Sequence, residues 1–428
     1  MAGDGCMPKQ LDQTADHRGG LREMLIISVP MVVSQACHTA MTFTDRWFMG
    51  RIGPEQMNAA MGGGLASFMS ATFFLGLTGY TTALVAQYLG AGKKERCAVA
   101  LSQALIIALV AYPLILLAGR VIIRLFDAAN LPPEQLGPQK EYFGILIYGS
   151  VIMLLHSCLA SFFSGIGRTR VVMLAALGAM VVNIGANWVL IFGKLGFPQL
   201  GITGAAYGTL IGGAFGLALL ACKYFTRANR AEFDVVGSLR LCGDTMRRLL
   251  KYGYPAGLEM FLNLLAFLSL VTLFQSHSLQ TATAITIVFN WDMVSFVPLL
   301  GIQIGVMSLV GRYMGAGEPE IAHQATMSGL KAGCAYSSVV LILFVFFPTA
   351  MVGMFRPDTP NEVFASAFES AVFMIRFAAL YVLIEAAVVV FSGALRGAGD
   401  TFWAMCFSVS IHWLMFGALL VVLRVLKL

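Results

Sequence analysis

Residues 85–92 read Val-Ala-Gln-Tyr-Leu-Gly-Ala-Gly, and residues 310–317 read Val-Gly-Arg-Tyr-Met-Gly-Ala-Gly. Tyr88, Gly90, Ala91 and Gly92 recur as Tyr313, Gly315, Ala316 and Gly317, 225 residues later. The same spacing carries Pro30 onto Pro255. Further along, Phe163-Ser164-Gly165 recurs as Phe391-Ser392-Gly393 at a spacing of 228, and Phe126 as Phe355 at 229. Near-constant spacing over this much chain is the mark of a duplication.

What is duplicated follows from composition. The chain has 428 residues, 58% hydrophobic and 12% charged, the latter about half of the ~25% usual in soluble domains. There is too little charge to cover a soluble surface of this length. Seven charged residues fall in the first 23 positions and ten between Lys223 and Lys251. A soluble core, a disordered chain and a disulfide scaffold are excluded; an all-α polytopic membrane protein remains. The eight cysteines, Cys6, Cys37, Cys97, Cys158, Cys222, Cys242, Cys334 and Cys406, have no CxxC spacing and read as small packing residues.

Eleven apolar segments are each long enough to span a bilayer at about 20 residues: 24–50, 57–85, 98–119, 140–163, 171–193, 203–222, 248–275, 282–309, 325–353, 364–393 and 402–425. With the N-terminus on the cytoplasmic side, 17 Lys and Arg residues fall on that side and eight on the other. The positive-inside rule favours that orientation. Residues 1–20 are polar, with no signal-peptide core. The repeat divides the chain into a tail (1–20), an N-lobe (21–222), a basic linker (223–247) and a C-lobe (248–428). Six helices per lobe give parallel repeats, related by an axis along the membrane normal, with substrate sites between the halves. The sixth helix of the first half, at 203–222, has no counterpart after the segment ending at Leu428, so the expectation is a chain cut one helix short.

Acids inside such segments cost about 2.5–3.5 kcal/mol on insertion scales and are functional candidates by default. They are Asp45, Glu259, Asp292 and Glu385. Neutral polar residues accompany them: His38 and Asn263, each eight residues after a repeat-matched proline, and the i,i+4 pair Asn183 and Asn187. Each also has a structural reading, as an ion pair, an interhelical hydrogen bond or a packed histidine; His38 and His156 read more readily as packing than as proton relays. Glu385, Glu259 and Asn263 carry the oxygens a Na⁺ site would use. Aromatics beside these positions, Phe43, Trp47, Trp188, Trp291 and Phe296, suit an organic cation. Prolines 30, 113, 255, 298 and 348 are expected kinks or hinges.

No phosphate-binding GxxxxGK[ST] loop occurs, so uphill transport must draw on an ion gradient. No HExxH or GxSxG motif supports an enzyme. No cofactor and no nucleic-acid partner are expected. A flippase for a lipid-linked precursor is the alternative, and it needs cations converging on one cavity. Arg46, Lys331 and Arg376 are the only intramembrane candidates, and they are dispersed.

Taken in order, several stretches resemble the multidrug and toxic compound extrusion (MATE) family. They are helix 1 with Pro30 and Asp45, Val85–Gly92 with its repeat, Asn183-Ile184 followed by Leu190–Pro198, Gly201–Ala206 and Gly393–Thr401. The likeness covers nearly the whole chain from Leu21. It implies two six-helix lobes in a V shape, acting as a monomer in the bacterial inner membrane. It also implies export of small organic cations in exchange for H⁺ or Na⁺ by rocking of the lobes. On the family pattern Asp45 is the helix 1 carboxylate, Asn183 the helix 5 asparagine and Glu385 the helix 10 carboxylate. Asn187 stands where many bacterial members have Asp. Asn263 stands where the sodium-linked branch has an acid, with Glu259 one turn earlier.

Overall fold

The computed structural model describes residues 18–128, 132–275, 279–356 and 362–424. Cys6, Lys9, Lys427 and most of the expected 1–20 tail lie outside the described residues. Regular structure among the described residues is helix alone. In the first half these are α1 (Leu21–Gly50), α2 (Pro54–Gly79), α3 (Thr81–Gly90), α4 (Lys94–Ala128), α5 (Pro133–Tyr148), α6 (Ser150–Gly165), α7 (Thr169–Phe192) and α8 (Ile202–Tyr224). A short α9 (Arg227–Phe233) leads to α10 (Gly243–Gln275), α11 (Leu279–Gly315), α12 (Pro319–Phe346), α13 (Pro348–Gly353), α14 (Glu362–Ala398) and α15 (Thr401–Arg424). Ten are long and apolar enough to cross a membrane, eleven with α5 and α6 taken as one bent span. Helices suit a bilayer because they satisfy every backbone N–H and C=O internally.

Three expected spans run over two helices each; at 57–85 the change from α2 to α3 at Tyr80 leaves a single span. The segment expected at 140–163 is two helices meeting at Gly149 with a 46° bend. A Cβ at Gly149 would come within 2.8 Å of Leu210 Cδ1, so glycine lets α8 close on the bend. The segment expected at 325–353 breaks at Phe347, where Pro348 opens α13, the first-turn position proline favours. Pro30, Pro113, Pro255 and Pro298 stay inside continuous helices. The linker is folded rather than free. Phe233 of α9 is buried against Phe162, ring centroids 5.5 Å apart. Glu232 accepts from Lys94 (3.1 Å) and Arg168 (2.6 Å). Partial burial pushes the Glu232 carboxyl up, but these two cations outweigh it and hold it below the usual carboxylate range.

The halves meet under a pseudo-dyad that the repeat spacing predicts. A Cβ on Gly90 would run into the Arg312 carbonyl and approach Ala316 N at 3.0 Å; one on Gly315 would lie 2.7 Å from the Gln87 carbonyl carbon. Gly90 and Gly315 are repeat partners, and so are Gln87 and Arg312. A second pair obeys the same rule: Gly76 would meet Gly257 Cα at 2.7 Å, and Gly301 would meet Val32 N at 2.5 Å. Small residues let helix backbones approach where lipid supplies no hydrophobic drive for association. α1 thus packs on α11 as α10 packs on α2.

The side-chain bonds that join the halves cluster at the end of the bundle where α1 begins. Arg18 pairs with Glu318. Glu23, only 7% exposed, accepts from Tyr313 Oη (2.6 Å) and lies 3.7 Å from Arg312. Gln87 Nε2 donates to the Gly397 carbonyl (2.8 Å), and Ser308 Oγ to that of Ser164 (2.7 Å). At the same end, Arg96 reaches Asp244 (3.5 Å).

Candidate functional site

Asp45, Asp292 and Glu385 lie away from those ties, whereas Glu259 reaches Arg396, next to the Gly397 carbonyl that Gln87 holds. Asp45, 9% exposed, is five residues from the end of α1. Its Oδ1 accepts from Asn187 Nδ2, and its Oδ2 from Thr209 Oγ1 at 3.1 Å. Asn187 Nδ2 also faces Asn183 Oδ1 at 3.3 Å, as i,i+4 spacing on α7 dictates. Thr209 comes within reach because α8 lies close against α7. Cβ atoms on Gly204 and Gly212 would stand 2.7 Å from Leu190 C and 2.6 Å from Asn183 Cβ. Tyr142 of α5 is in interaction range of Asp45 and Thr209.

Both asparagines are fully buried, yet Asn183 Nδ2 and Asn187 Oδ1 have no hydrogen-bond partner. An unpaired donor and an unpaired acceptor beside a buried carboxylate are costly. The arrangement suits a guest: the carboxylate and the free amide oxygen can take a cation or a proton, and the free NH₂ a polar atom. His38, two turns before Asp45 on α1, stands edge-on to His156 with ring centroids 6.1 Å apart.

The second half holds a separate pair. Tyr381 Oη donates to Asp292 Oδ1 at 2.7 Å. Glu385, one turn after Tyr381, is in electrostatic range of Asp292, and its Oε2 is buried with no hydrogen-bond partner. Glu259 is engaged elsewhere, its Oε2 3.0 Å from Arg396 of α14 but not aligned as a hydrogen bond. Asn263 Nδ2 donates to Ser408 Oγ at 2.7 Å, and its Oδ1 has no partner. So Asp45, Asn183 and Asn187 share one cluster and Asp292 and Glu385 another, while Glu259 and Asn263 have partners of their own. Among the described residues no three His, Cys, Asp or Glu side chains group as a metal site.

The aromatic set divides. Phe43 (70%), Trp47 (50%) and Trp188 (45%) are exposed. Trp291 donates to the Met351 carbonyl at 3.2 Å, and Phe296 packs into the core. Arg46, Lys331 and Arg376 sit exposed on three different helices. Sequence reasoning missed Thr209, Tyr381 and Arg396. A hydroxyl in an apolar helix carries no signal of its own. Arg396 lies 137 positions from its partner, so no local pattern pairs them.

Comparison with known proteins fits this geometry. The MatE family model matches residues 30–189 and again 255–417, once for each repeat. Multidrug resistance protein PmpM of Pseudomonas aeruginosa is 28% identical over 408 residues, 92% of this chain and 82% of that protein. The probable multidrug resistance protein NorM of Bacillus subtilis is 25% identical over 412 residues, 94% and 88% of the two chains. Among solved structures, a MOP superfamily transporter from Pyrococcus furiosus superposes with a TM-score of 0.83 at 20% identity, covering 94% of this chain and 89% of that one. The outward-facing conformation of a multidrug resistance MATE family transporter gives a TM-score of 0.83, also at 20% identity, with 94% and 88% covered.

Proposed function

The chain belongs to the MatE family, and we propose that it is an antiporter exporting cationic, amphipathic organic compounds in exchange for H⁺ or Na⁺. It is an integral, multi-pass membrane protein and a transporter, not an enzyme. Multidrug efflux is the activity that the names of its relatives support.

The observation that carries the antiport reading is the buried Asp45 held by Asn187 and Thr209 beside unpaired amide groups. A carboxylate taken out of water needs a proton or a cation to neutralise it. Coupling ion and organic cation then compete for one charge, and by linkage the competition is reciprocal. Glu385, with its unpaired oxygen, offers the C-lobe the same exchange. The ties between halves lie at the basic end where α1 begins. In this reading the halves rock about the glycine crossings and expose the site to each side in turn, with the N-terminus cytoplasmic and the protein in the bacterial inner membrane.

The test is efflux of a fluorescent cation from everted vesicles, with the Na⁺ and H⁺ gradients collapsed separately. Collapse of one gradient is expected to abolish efflux. Asp45→Asn and Glu385→Gln are each expected to lower it roughly tenfold or more, the scale of one lost charge interaction. Efflux unchanged in both variants would remove the carboxylate mechanism.

A further inference from the structure

We infer that the exposed face at the start of α10 is a binding site for the headgroup of an anionic phospholipid. Gly243, Met246, Arg247, Leu250, Lys251 and Tyr254 line a groove of about 600 Å³. Arg247 and Lys251 are i,i+4 and stand one above the other. Leu250 and Tyr254, 43% and 54% exposed, form the parallel apolar ridge. Neither cation has a carboxylate within ion-pair distance among the described residues. Asp244, the acid nearest in sequence, is engaged by Arg96 at 3.5 Å and Arg248 at 3.6 Å. Lys251 Nζ lies 5.3 Å from the Tyr252 ring centroid, on the flank of the groove.

The duplication supplies an internal control. The spacing of 225 carries Leu21, Arg22, Leu25, Ile26 and Val29 of α1 onto Met246, Arg247, Leu250, Lys251 and Tyr254. The α1 face is also exposed, at 44%, 40%, 43% and 51% for Leu21, Leu25, Ile26 and Val29, and it carries a single cation, Arg22. On α10 the Ile position has become a second cation, and the Val position an aromatic with a hydroxyl. Two like charges one turn apart repel, and here no protein acid offsets them. A phosphodiester between them does, because Arg binds its oxygens in a fork and Lys as a point charge. Inorganic phosphate would use the cations only. A phospholipid also uses Met246, Leu250 and Tyr254, which run on into the apolar body of a helix that crosses the membrane.

The experiment uses the full-length purified chain, delipidated in detergent, with bound lipid counted by native mass spectrometry. Dioleoylphosphatidylglycerol, dioleoylphosphatidylcholine and inorganic phosphate are titrated in separate arms. Each Lys or Arg at an anionic surface is worth roughly fivefold in affinity. The phosphatidylglycerol form is therefore expected to bind about tenfold or more tighter than the choline form. Arg247→Gln with Lys251→Gln, and separately Lys251→Ile with Tyr254→Val (which copies α1), are expected to remove that preference. Arg22→Gln is expected to keep it. Equal binding of the two lipids overturns the proposal, as does a preference surviving in both double variants. So does an equal loss in Arg22→Gln, or inorganic phosphate displacing the lipid at matched concentration.

Discussion

Asn187 gives its amide to Asp45 while its own oxygen has no partner, so it holds the carboxylate rather than completing a closed network. Removing it leaves Thr209 as the remaining hydrogen bond to a buried acid among the described residues. A bond to a charged group is worth about 1.5–3 kcal/mol. Asn187→Ala is therefore expected to lower the apparent melting temperature in detergent by several degrees and to weaken binding of an organic cation. Thr209→Val is expected to do less, because Thr209 also bonds the Ala205 carbonyl of its own helix at 3.0 Å. Intrinsic fluorescence during a thermal ramp, with and without a cationic dye, reads both effects. A larger loss for Thr209→Val would show that α8 sets the carboxylate. At this scale the sequence was legible where residue type is itself anomalous. A carboxylate or an i,i+4 asparagine pair in an apolar helix announces itself. A threonine that hydrogen-bonds its own helix looks like any other threonine. The Glu259–Arg396 pair stayed hidden because only folding brings α10 to the end of α14.

A helix in this bundle is placed largely by what its glycines allow. Gly315 meets backbone at the pseudo-dyad: a Cβ there would stand 2.7 Å from the Gln87 carbonyl carbon. Backbone cannot step aside as a flexible side chain can. Gly144 of α5 has nothing within 4 Å of the same added atom. Gly315→Val is expected to destabilise by about 1–3 kcal/mol through overpacking. Gly144→Ala is expected to be neutral or stabilising by about 0.5–1 kcal/mol through helix propensity. Paired melting curves check this, and equal shifts would mean that the crossing at Gly315 is looser than its geometry says. The repeat spacing was readable in advance, since it is a property of the string. The 46° bend at Gly149 was not. Nothing local separates a glycine that bends a helix from one that merely receives a leucine. Four of the five prolines expected to kink or hinge lie inside continuous helices.

Across the whole molecule, duplication makes two similar halves, and the side chains that join them gather at the end where α1 begins. The strongest local tie is the chain just before α1. Gly19 N donates to Glu23 at 2.8 Å, Tyr313 Oη to the same carboxylate at 2.6 Å, and Ser328 Oγ to the Gly19 carbonyl at 2.8 Å. Arg18 pairs with Glu318 and lies 5.6 Å from the Tyr313 ring centroid. Gly19 needs its left-handed φ of 70° to make this turn, and an added Cβ would sit 2.8 Å from the Ile321 carbonyl. The strap thus binds the first half to α11 and α12 of the second. Any state that opens this end must break it. The exposed pair at Arg18 contributes at most about 1 kcal/mol, whereas loss of a partner from the buried Glu23 cluster costs about 1–3 kcal/mol. Glu23→Gln with Arg18→Gln is therefore expected to raise amide hydrogen exchange across 85–92 and 308–317 by roughly tenfold, the kinetic equivalent of about 1.4 kcal/mol of lost closure. Exchange across 180–190 at the other end is expected to stay unchanged, because it does not depend on the strap. A uniform rise at both ends would mean general destabilisation, and no rise at 85–92 would mean that the glycine crossings hold this end shut without the strap.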